Sequence, residues 1–399
     1  MTKIDLPEND HRKWGQKLDL FSFHDVAPGA PFWHPKGMTV VKELEKYIRS
    51  LQDQYGYHEI STPIMVKKGL FEKSGHWKFF KDDIFQLKVD KEIYALKPMN
   101  CPESTLVYSS SKRSYRDLPL RLAEIGRLHR NELSGVLGGL LRVRQITMDD
   151  AHIFCRRDQI KSELVAVLTM TQKFYKNLGL PVSYGLATKP KKALGDIQAW
   201  KEAEKILGEA LDEVGLPYKI LKGEGAFYGP KIHFDIKDSL GRVWTIATAQ
   251  LDFQMPERFK LEYINERGKP ERPAMIHRAI FGSFERFIGI LLEHFKGALP
   301  FWLSPIQVSL LSVSDATKKY CLELARSLRE ENIRFWIDDR NETIGKKIRE
   351  AELQKIPYIL VVGEREAGSK TVSVRRRGDK NIQNMTLDAF IKKTVQEKI

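Results

Sequence analysis

Cysteine is scarce in this chain. Cys101, Cys155 and Cys321 are the only three in 399 residues, too few and too scattered for a disulfide framework. A reducing compartment, the cytoplasm, is therefore expected. Long apolar runs are missing as well. The longest, such as Ile359 to Val362, have the length of a strand, which excludes a helix crossing a membrane. The opening MTKIDLPENDHRKWG carries no apolar segment of the kind found in secretion signals, so export is not expected. The 27 glycines and 18 prolines follow no triplet period, which excludes a collagen-like chain, and no repeat or low-complexity tract is evident. What is present is ordinary for a globular protein. With 42% apolar and 30% charged residues, the chain can bury a large core in two or three domains. Its 66 Lys and Arg against 52 Asp and Glu leave a net charge of +14, which favours a polyanionic partner.

Residues 1–33, with Pro28-Gly29 and Pro31, read as an irregular lead-in. Val40, Val41, Leu44, Tyr47, Ile48 and Leu51 then recur at helical spacing, and Tyr57 to Thr62 reads as a strand closed by Pro63. From about 84 to 155 short strands are expected, including Ile84 to Val89, Leu120 to Ile125 and Arg142 to Thr147. Helices are expected at about 157–177 and 195–214, strands from Tyr218 to Phe253, and an amphipathic helix on Phe284, Phe287, Ile288, Leu291 and Leu292. The prolines at 300 and 305 mark a boundary. Beyond it strands at Val308 to Val313, Arg334 to Ile337, Tyr358 to Val362 and Thr371 to Arg375 alternate with helices at about 315–331 and 343–354, and a last helix ends the chain. That alternation is the signature of a small α/β domain. The first 300 residues instead suggest α+β: a mainly antiparallel sheet with flanking helices.

Several clusters could carry chemistry. Arg127 and Arg130, a glycine-rich turn at Gly135 to Gly139, and Arg142 and Arg144 form strand, loop and strand with arginines on both arms. Such a hairpin offers planar forks to phosphate, or merely a solvated basic face. Cys101, His152 and His277 are metal-ligand types, but they lie 51 and 125 residues apart, and packed core residues would look the same. Gly282-Ser283-Phe284-Glu285-Arg286 opens a helix with an arginine one turn in, which suits an anion or is simply a helix start. Gly225 to Lys231 could be a substrate loop or a turn.

In their joint order these segments resemble the class II aminoacyl-tRNA synthetases, and among them the threonyl-tRNA synthetases. The resemblance runs from about Asp10-His11-Arg12-Lys13 to the C-terminus. It rests on Ser74-Gly75-His76-Trp77, Lys97 to Pro102, His129-Arg130-Asn131-Glu132, Asp149 to Phe154, Ala226 to Lys231, Gln250 to Phe253 and Ile276 to Ile280. It implies a catalytic domain at 1–303 and an anticodon-binding domain at 304–399. It further implies a Zn²⁺ on Cys101, His152 and His277, with a position left open for the amino group and hydroxyl of L-threonine. Arg130 would contact the α-phosphate of ATP, Arg286 the γ-phosphate side, Glu132 the adenine side and Arg142 a further phosphate, with Mg²⁺ accompanying ATP. Asp150, Tyr228, Lys231, Gln250 and Ser283 match substrate and ATP positions, and Asn341, Glu366 and Arg375 match positions that contact anticodon bases of tRNA(Thr). A C2 homodimer through Val40 to Pro63 is expected.

The chain departs from the family pattern at Gln145-Ile146, where members usually have Gly-Phe. It also departs at Met148 (usually Gln), Gly139 (commonly His), Glu103-Ser104 (usually Gly-His) and Lys355 (usually Arg). Many members carry N-terminal domains that hydrolyse mischarged Ser-tRNA, and these are expected to be missing from the 399 residues. A prolyl enzyme of the same subgroup, or a synthetase-like RNA-binding paralogue, is the alternative.

Overall fold

The structure, a computed structural model, describes residues 6–238 and 241–397. Residues 1–5, 239, 240, 398 and 399, which belong to the expected lead-in, to the 218–253 strands and to the last domain, lie outside the described residues. The chain forms two compact units. One comprises Phe32–Tyr47, the chain from Ile288 onward and the segment up to Ser22; the other comprises Phe23–Pro31 and Ile48–Phe287.

The lead-in is more regular than the turn residues suggested. Helix α1 (His11–Lys17) forms there because the Asp10 carboxylate caps it, accepting from Arg12 N at 2.8 Å. Helix α2 (Pro35–Gln54) covers the apolar stripe at 40–51.

The larger unit is built on an eight-stranded sheet. Its strands are β1 (His58–Glu59), β2 (Leu120–His129), β3 (Gln145–Cys155), β4 (Val182–Ala187), β5 (Tyr218–Leu221), β6 (Lys231–Lys237), β7 (Val243–Asp252) and β8 (Ala274–Ser283). Their order across the sheet is β5-β4-β6-β7-β8-β3-β2-β1, antiparallel through the centre with a parallel pair at each edge. Helix α3 (Cys101–Ser109) interrupts the region expected to be strands. Helix α4 (Ile160–Leu178) lies at the predicted place and buries Leu164, Val167, Leu168, Thr171, Phe174 and Tyr175, the spacing of one helical face. Phe174 stacks on Phe281 of β8 at 5.3 Å between ring centroids. Helix α5 (Ile197–Glu213) is capped by Asp196, and α6 (Phe284–His294) follows β8 directly. The expected strand at Arg142 to Thr147 is corrected. Gly139–Leu141 is a 3₁₀ turn, Arg142 to Arg144 remain loop, and β3 starts at Gln145.

In the smaller unit β9 (Val308–Ser312), β10 (Phe335–Asp338), β11 (Tyr358–Val362), β12 (Val372–Arg376) and β13 (Ile382–Met385) form a sheet in the order β10-β9-β11-β12-β13. Helices α7 (Lys318–Glu330), α8 (Ile344–Leu353), α9 (Glu364–Ser369) and α10 (Leu387–Val395) accompany it. Leu310, Leu324, Leu360 and Phe390 share one apolar cluster, whereas Leu311, Ala351 and Ile359 share another. Successive residues of β9 thus feed opposite faces, which is why it reads as an unbroken apolar run. The whole is α+β: an antiparallel-rich sheet with flanking helices, and a separate small α/β domain.

Candidate active site

The strand register builds the site. Lys231 of β6 lies opposite Gln250 of β7, Gln250 opposite His277 of β8, and His277 opposite His152 of β3. Residues directly opposite on antiparallel strands point to one face, so four side chains distant in sequence form a row. The His152 and His277 rings stand 5.0 Å apart and nearly perpendicular. Cys101 reaches them from the start of α3. One ligand atom from each of Cys101, His152 and His277 lies within 4.8 Å of the others, and all three residues are buried.

A buried thiol with two imidazoles suits zinc better than a hard cation. The surroundings fit that group. Asp252 Oδ2 lies 2.9 Å from His277 Nε2, so the carboxylate accepts a hydrogen bond from Nε2–H and thereby leaves Nδ1 as the acceptor nitrogen. Burial, followed by the charge of His277, holds His152 well below the usual histidine range, neutral as a ligand must be. Burial and then Asp150, Glu103 and Asp252 push the Cys101 thiol up, so a metal ion would have to displace its proton. His76 stands beside the trio, with Nε2 at 3.7 Å from Cys101 Sγ and Nδ1 at 2.8 Å from Ser74 Oγ; burial and then His277 bring it down to about 3.

Asp150 shares the face of His152, with Oδ2 3.8 Å from His152 Nε2. Asn100 Nδ2 donates to Asp150 Oδ2 at 3.2 Å, and its side chain occupies the space that a larger residue at Gly126 would fill. A Cβ at Gly126 would come within 2.4 Å of Asn100 Oδ1. Tyr228 closes one side of the site. Its ring stacks on His277 at 4.8 Å and its hydroxyl donates to Gln250 Oε1 at 2.8 Å, while Gln250 Nε2 donates to Thr248 Oγ1. Burial pulls the Lys231 ammonium below the usual lysine range.

Arginines form the other end. Arg130 donates from Nε to Pro98 O at 3.3 Å, and Arg286 from Nε to Leu141 O at 3.0 Å. Arg142 donates to Glu132 Oε2 from Nε at 3.0 Å, with its Nη2 2.8 Å from the same oxygen. Burial, then the charges of Arg130 and Arg142, lower Arg286, while Glu132 works the other way. Three guanidiniums near one carboxylate leave an uncompensated positive field, suited to a polyphosphate. Ser283 Oγ accepts from Arg286 N at 3.2 Å and donates to Glu285 Oε2 at 2.9 Å, which fixes the start of α6.

Two carboxylates that support this site are legible only in three dimensions: Asp252, described above, and Asp149. Asp149 is buried on the opposite face of β3 and accepts from the backbone N–H groups of Ile280, Phe281 and Gly282 at 2.8, 3.2 and 2.7 Å. It holds the irregular stretch between Ala279 and Ser283 that leads into α6. Of the departures, Ile146 and Met148 lie on the face of Asp150, opposite Leu128 and Gly126. Glu103 is buried on α3, its carboxylate oxygens without a hydrogen-bond partner among the described residues, and burial brings it up to about 8. Gly139 opens the 3₁₀ turn with φ +58°, and Lys355 places its ammonium 5.2 Å from the Trp14 ring centroid.

Asn341, Glu366 and Arg375 belong to the smaller unit. Asn341 is exposed in the turn after β10. Glu366 on α9 accepts from Gly363 N at 3.0 Å and Ser373 Oγ at 2.9 Å, and half-buried Arg375 lies on β12 opposite Ile359 and Ile382.

A row of site residues on an antiparallel sheet with arginines at one end defines a class. The chain belongs to the class II tRNA synthetases: the family model of the tRNA synthetase class II core domain (G, H, P, S and T) matches residues 85–295, and that of the anticodon binding domain matches 307–398. Within the family, threonine enzymes are among its relatives. The chain is 50% identical over 390 residues to the threonine--tRNA ligase of Carboxydothermus hydrogenoformans, covering 98% of the chain and 62% of that protein. It thus spans about three fifths of the length of the curated relatives it matches. Its fold is similar to the crystal structure of the RNA binding domain of threonyl-tRNA synthetase from Cryptosporidium parvum Iowa II, with TM-score 0.94, 42% identity and 98% of each chain covered. It is also similar to a putative threonyl-tRNA synthetase, ThrRS-1, from Aeropyrum pernix, with TM-score 0.84, 27% identity and 97% and 96% covered.

Proposed function

We propose that this chain is a threonine--tRNA ligase, which activates L-threonine with ATP and transfers it to the 3′ end of tRNA(Thr). The observation that carries the reading is the buried meeting of Cys101, His152 and His277, drawn from a helix and two strands. Residues 1–303 serve as the catalytic domain and 304–399 as the anticodon-binding domain, with Asn341, Glu366 and Arg375 as base-contacting residues. The reading includes a cytoplasmic C2 homodimer. Among the described residues no helix is long and apolar enough to cross a membrane.

The threonine carboxylate is already ionised, so no general base is needed. An oxygen of it attacks the α-phosphorus in line, and pyrophosphate leaves. The chain's contribution is positioning and charge. Arg130 neutralises charge developing at the α-phosphate, Arg286 holds the distal phosphates, Arg142 adds a phosphate contact, and Glu132 meets the adenine side. Asp150 receives the amino group or hydroxyl of the substrate, while Tyr228, Lys231 and Gln250 enclose it. Cys101, His152 and His277 would hold one Zn²⁺ per chain, which would supply Lewis acidity that a hydroxyl can meet and the isosteric valine side chain cannot. Mg²⁺ enters with ATP. A terminal ribose hydroxyl of tRNA then attacks the carbonyl carbon of the threonyl-adenylate: the ester bond forms, the bond to the phosphate oxygen breaks, AMP leaves and the hydroxyl proton is released.

The test is amino-acid-dependent ATP–pyrophosphate exchange with zinc quantified. Threonine-dependent exchange with about one zinc per chain supports the reading. Exchange driven by proline instead assigns a prolyl enzyme, and exchange with neither assigns an RNA-binding paralogue.

A further inference from the structure

Arg286 carries an unresolved mechanical problem. Its side chain is long, it is repelled by Arg130 and Arg142, and its hydrogen bond to Leu141 O uses only Nε. Among the described residues its two Nη groups have no hydrogen-bond partner, so those donors are free for a ligand. A carboxylate placed against them would steady the side chain, but it would occupy the donors and cancel the charge. An aromatic face attracts a guanidinium without doing either.

Such a face is present. The Arg286 guanidinium carbon lies 5.8 Å from the ring centroid of Trp244, near the start of β7. The ring is itself anchored. Its indole N–H donates to Asp238 Oδ2 at 2.7 Å, and the wholly buried Asp238 carboxylate also accepts from Arg242 N at 2.9 Å and Arg242 Nε at 2.6 Å. Asp238 therefore holds one indole, which the Arg242 guanidinium carbon approaches at 5.4 Å and that of Arg286, from α6, at 5.8 Å.

We propose that Trp244, pinned by Asp238, is the positioning residue for Arg286 and orients its guanidinium toward the phosphates of ATP while leaving its N–H donors free. The proposal rests on the reading above that ATP is a substrate.

The experiment measures MgATP binding to the full chain by equilibrium dialysis, with Trp244→Leu, Trp244→Phe and Asp238→Asn as variants. Trp244→Leu is expected to weaken MgATP binding roughly 3- to 30-fold, the range of a partly to fully desolvated cation–aromatic contact. Zinc content and the KM for threonine should stay unchanged. Trp244→Phe should recover most of the loss, because the ring face remains, and Asp238→Asn should fall between. A Trp244→Leu chain that binds MgATP as tightly as the unmodified one overturns the proposal. So does a Phe variant no better than Leu, or an equal loss for threonine and MgATP. If the Leu variant does not fold, Asp238→Asn decides: unchanged MgATP binding overturns the proposal and selective weakening supports it. An unmodified chain that binds MgATP but shows no threonine-dependent exchange removes the ligase reading and leaves this comparison intact.

Discussion

His152 and His277 lie directly opposite each other on neighbouring antiparallel strands, with ring centroids 5.0 Å apart and planes at 83°. Two imidazoles 125 positions apart in sequence are thereby set side by side by backbone pairing, and of the three candidate metal ligands only Cys101 is brought in from a helix. Rigid strands hold such a site to tighter tolerance than loops do.

Metal removal gives the first prediction. Cys101→Ala or His277→Ala should reduce bound zinc from about one per chain to near zero, because two ligands do not close a structural or catalytic zinc site. Threonine-dependent exchange should vanish while the far-ultraviolet circular dichroism stays close to that of the unmodified chain. Metal analysis by mass spectrometry decides it. Active protein with no zinc would refute the assignment.

Asp252→Asn should spare the three ligands but weaken the site. The carboxylate fixes which His277 nitrogen carries the proton, and loss of such a partner typically costs 10- to 100-fold in metal affinity. Competition against a chromophoric chelator measures this, and an unchanged affinity would mean that Asp252 only fills space.

At Gly126, alanine should be destabilising by about 1–3 kcal/mol, the usual cost of overpacking. Its Cβ would stand 2.4 Å from Asn100 Oδ1 and must displace that side chain. The double variant with Asn100→Ala should recover much of the loss, since the clash is then gone. Chemical denaturation of the four proteins tests the coupling. Strict additivity would contradict it.

Substitution in the smaller unit should separate the two half-reactions. Arg375→Ala is expected to weaken tRNA charging and leave threonine-dependent exchange unchanged if, as proposed, Arg375 contacts an anticodon base and takes no part in binding ATP. Equal impairment in both assays would show that its role has been misassigned.

Discrimination among amino acids should follow the metal. Serine keeps the hydroxyl and lacks one methyl, so its kcat/KM for exchange should fall only about 10- to 200-fold below that of threonine. Valine should fall further, since it leaves a coordination position unfilled. Parallel exchange assays with the three amino acids test the order, and valine outperforming serine would remove hydroxyl recognition from the site.

The sequence by itself determined those features whose physics is local. The apolar stripe of α4 is visible because one face of a helix recurs every three to four residues, and the alternation beyond Pro305 foretells the α/β sheet down to Tyr358–Val362. The quoted motifs contain Cys101, His152, His277, Arg130 and Arg286, and their order along the chain points to the family. Tertiary structure decided the rest. Strand β8 is buried from Ala274 to Gly282, with no alternation to betray it, and α3 has no apolar stripe, so neither could be read from periodicity. Asp149 and Asp252 look like any acidic residues in the sequence. Each gains its role only from a partner on another element, Asp149 from the turn into α6 and Asp252 from His277. Spacing along the chain carries no information about which strands lie side by side. That was decided by strand order and register, because a slip of one residue would turn His277 to the opposite face and empty the site.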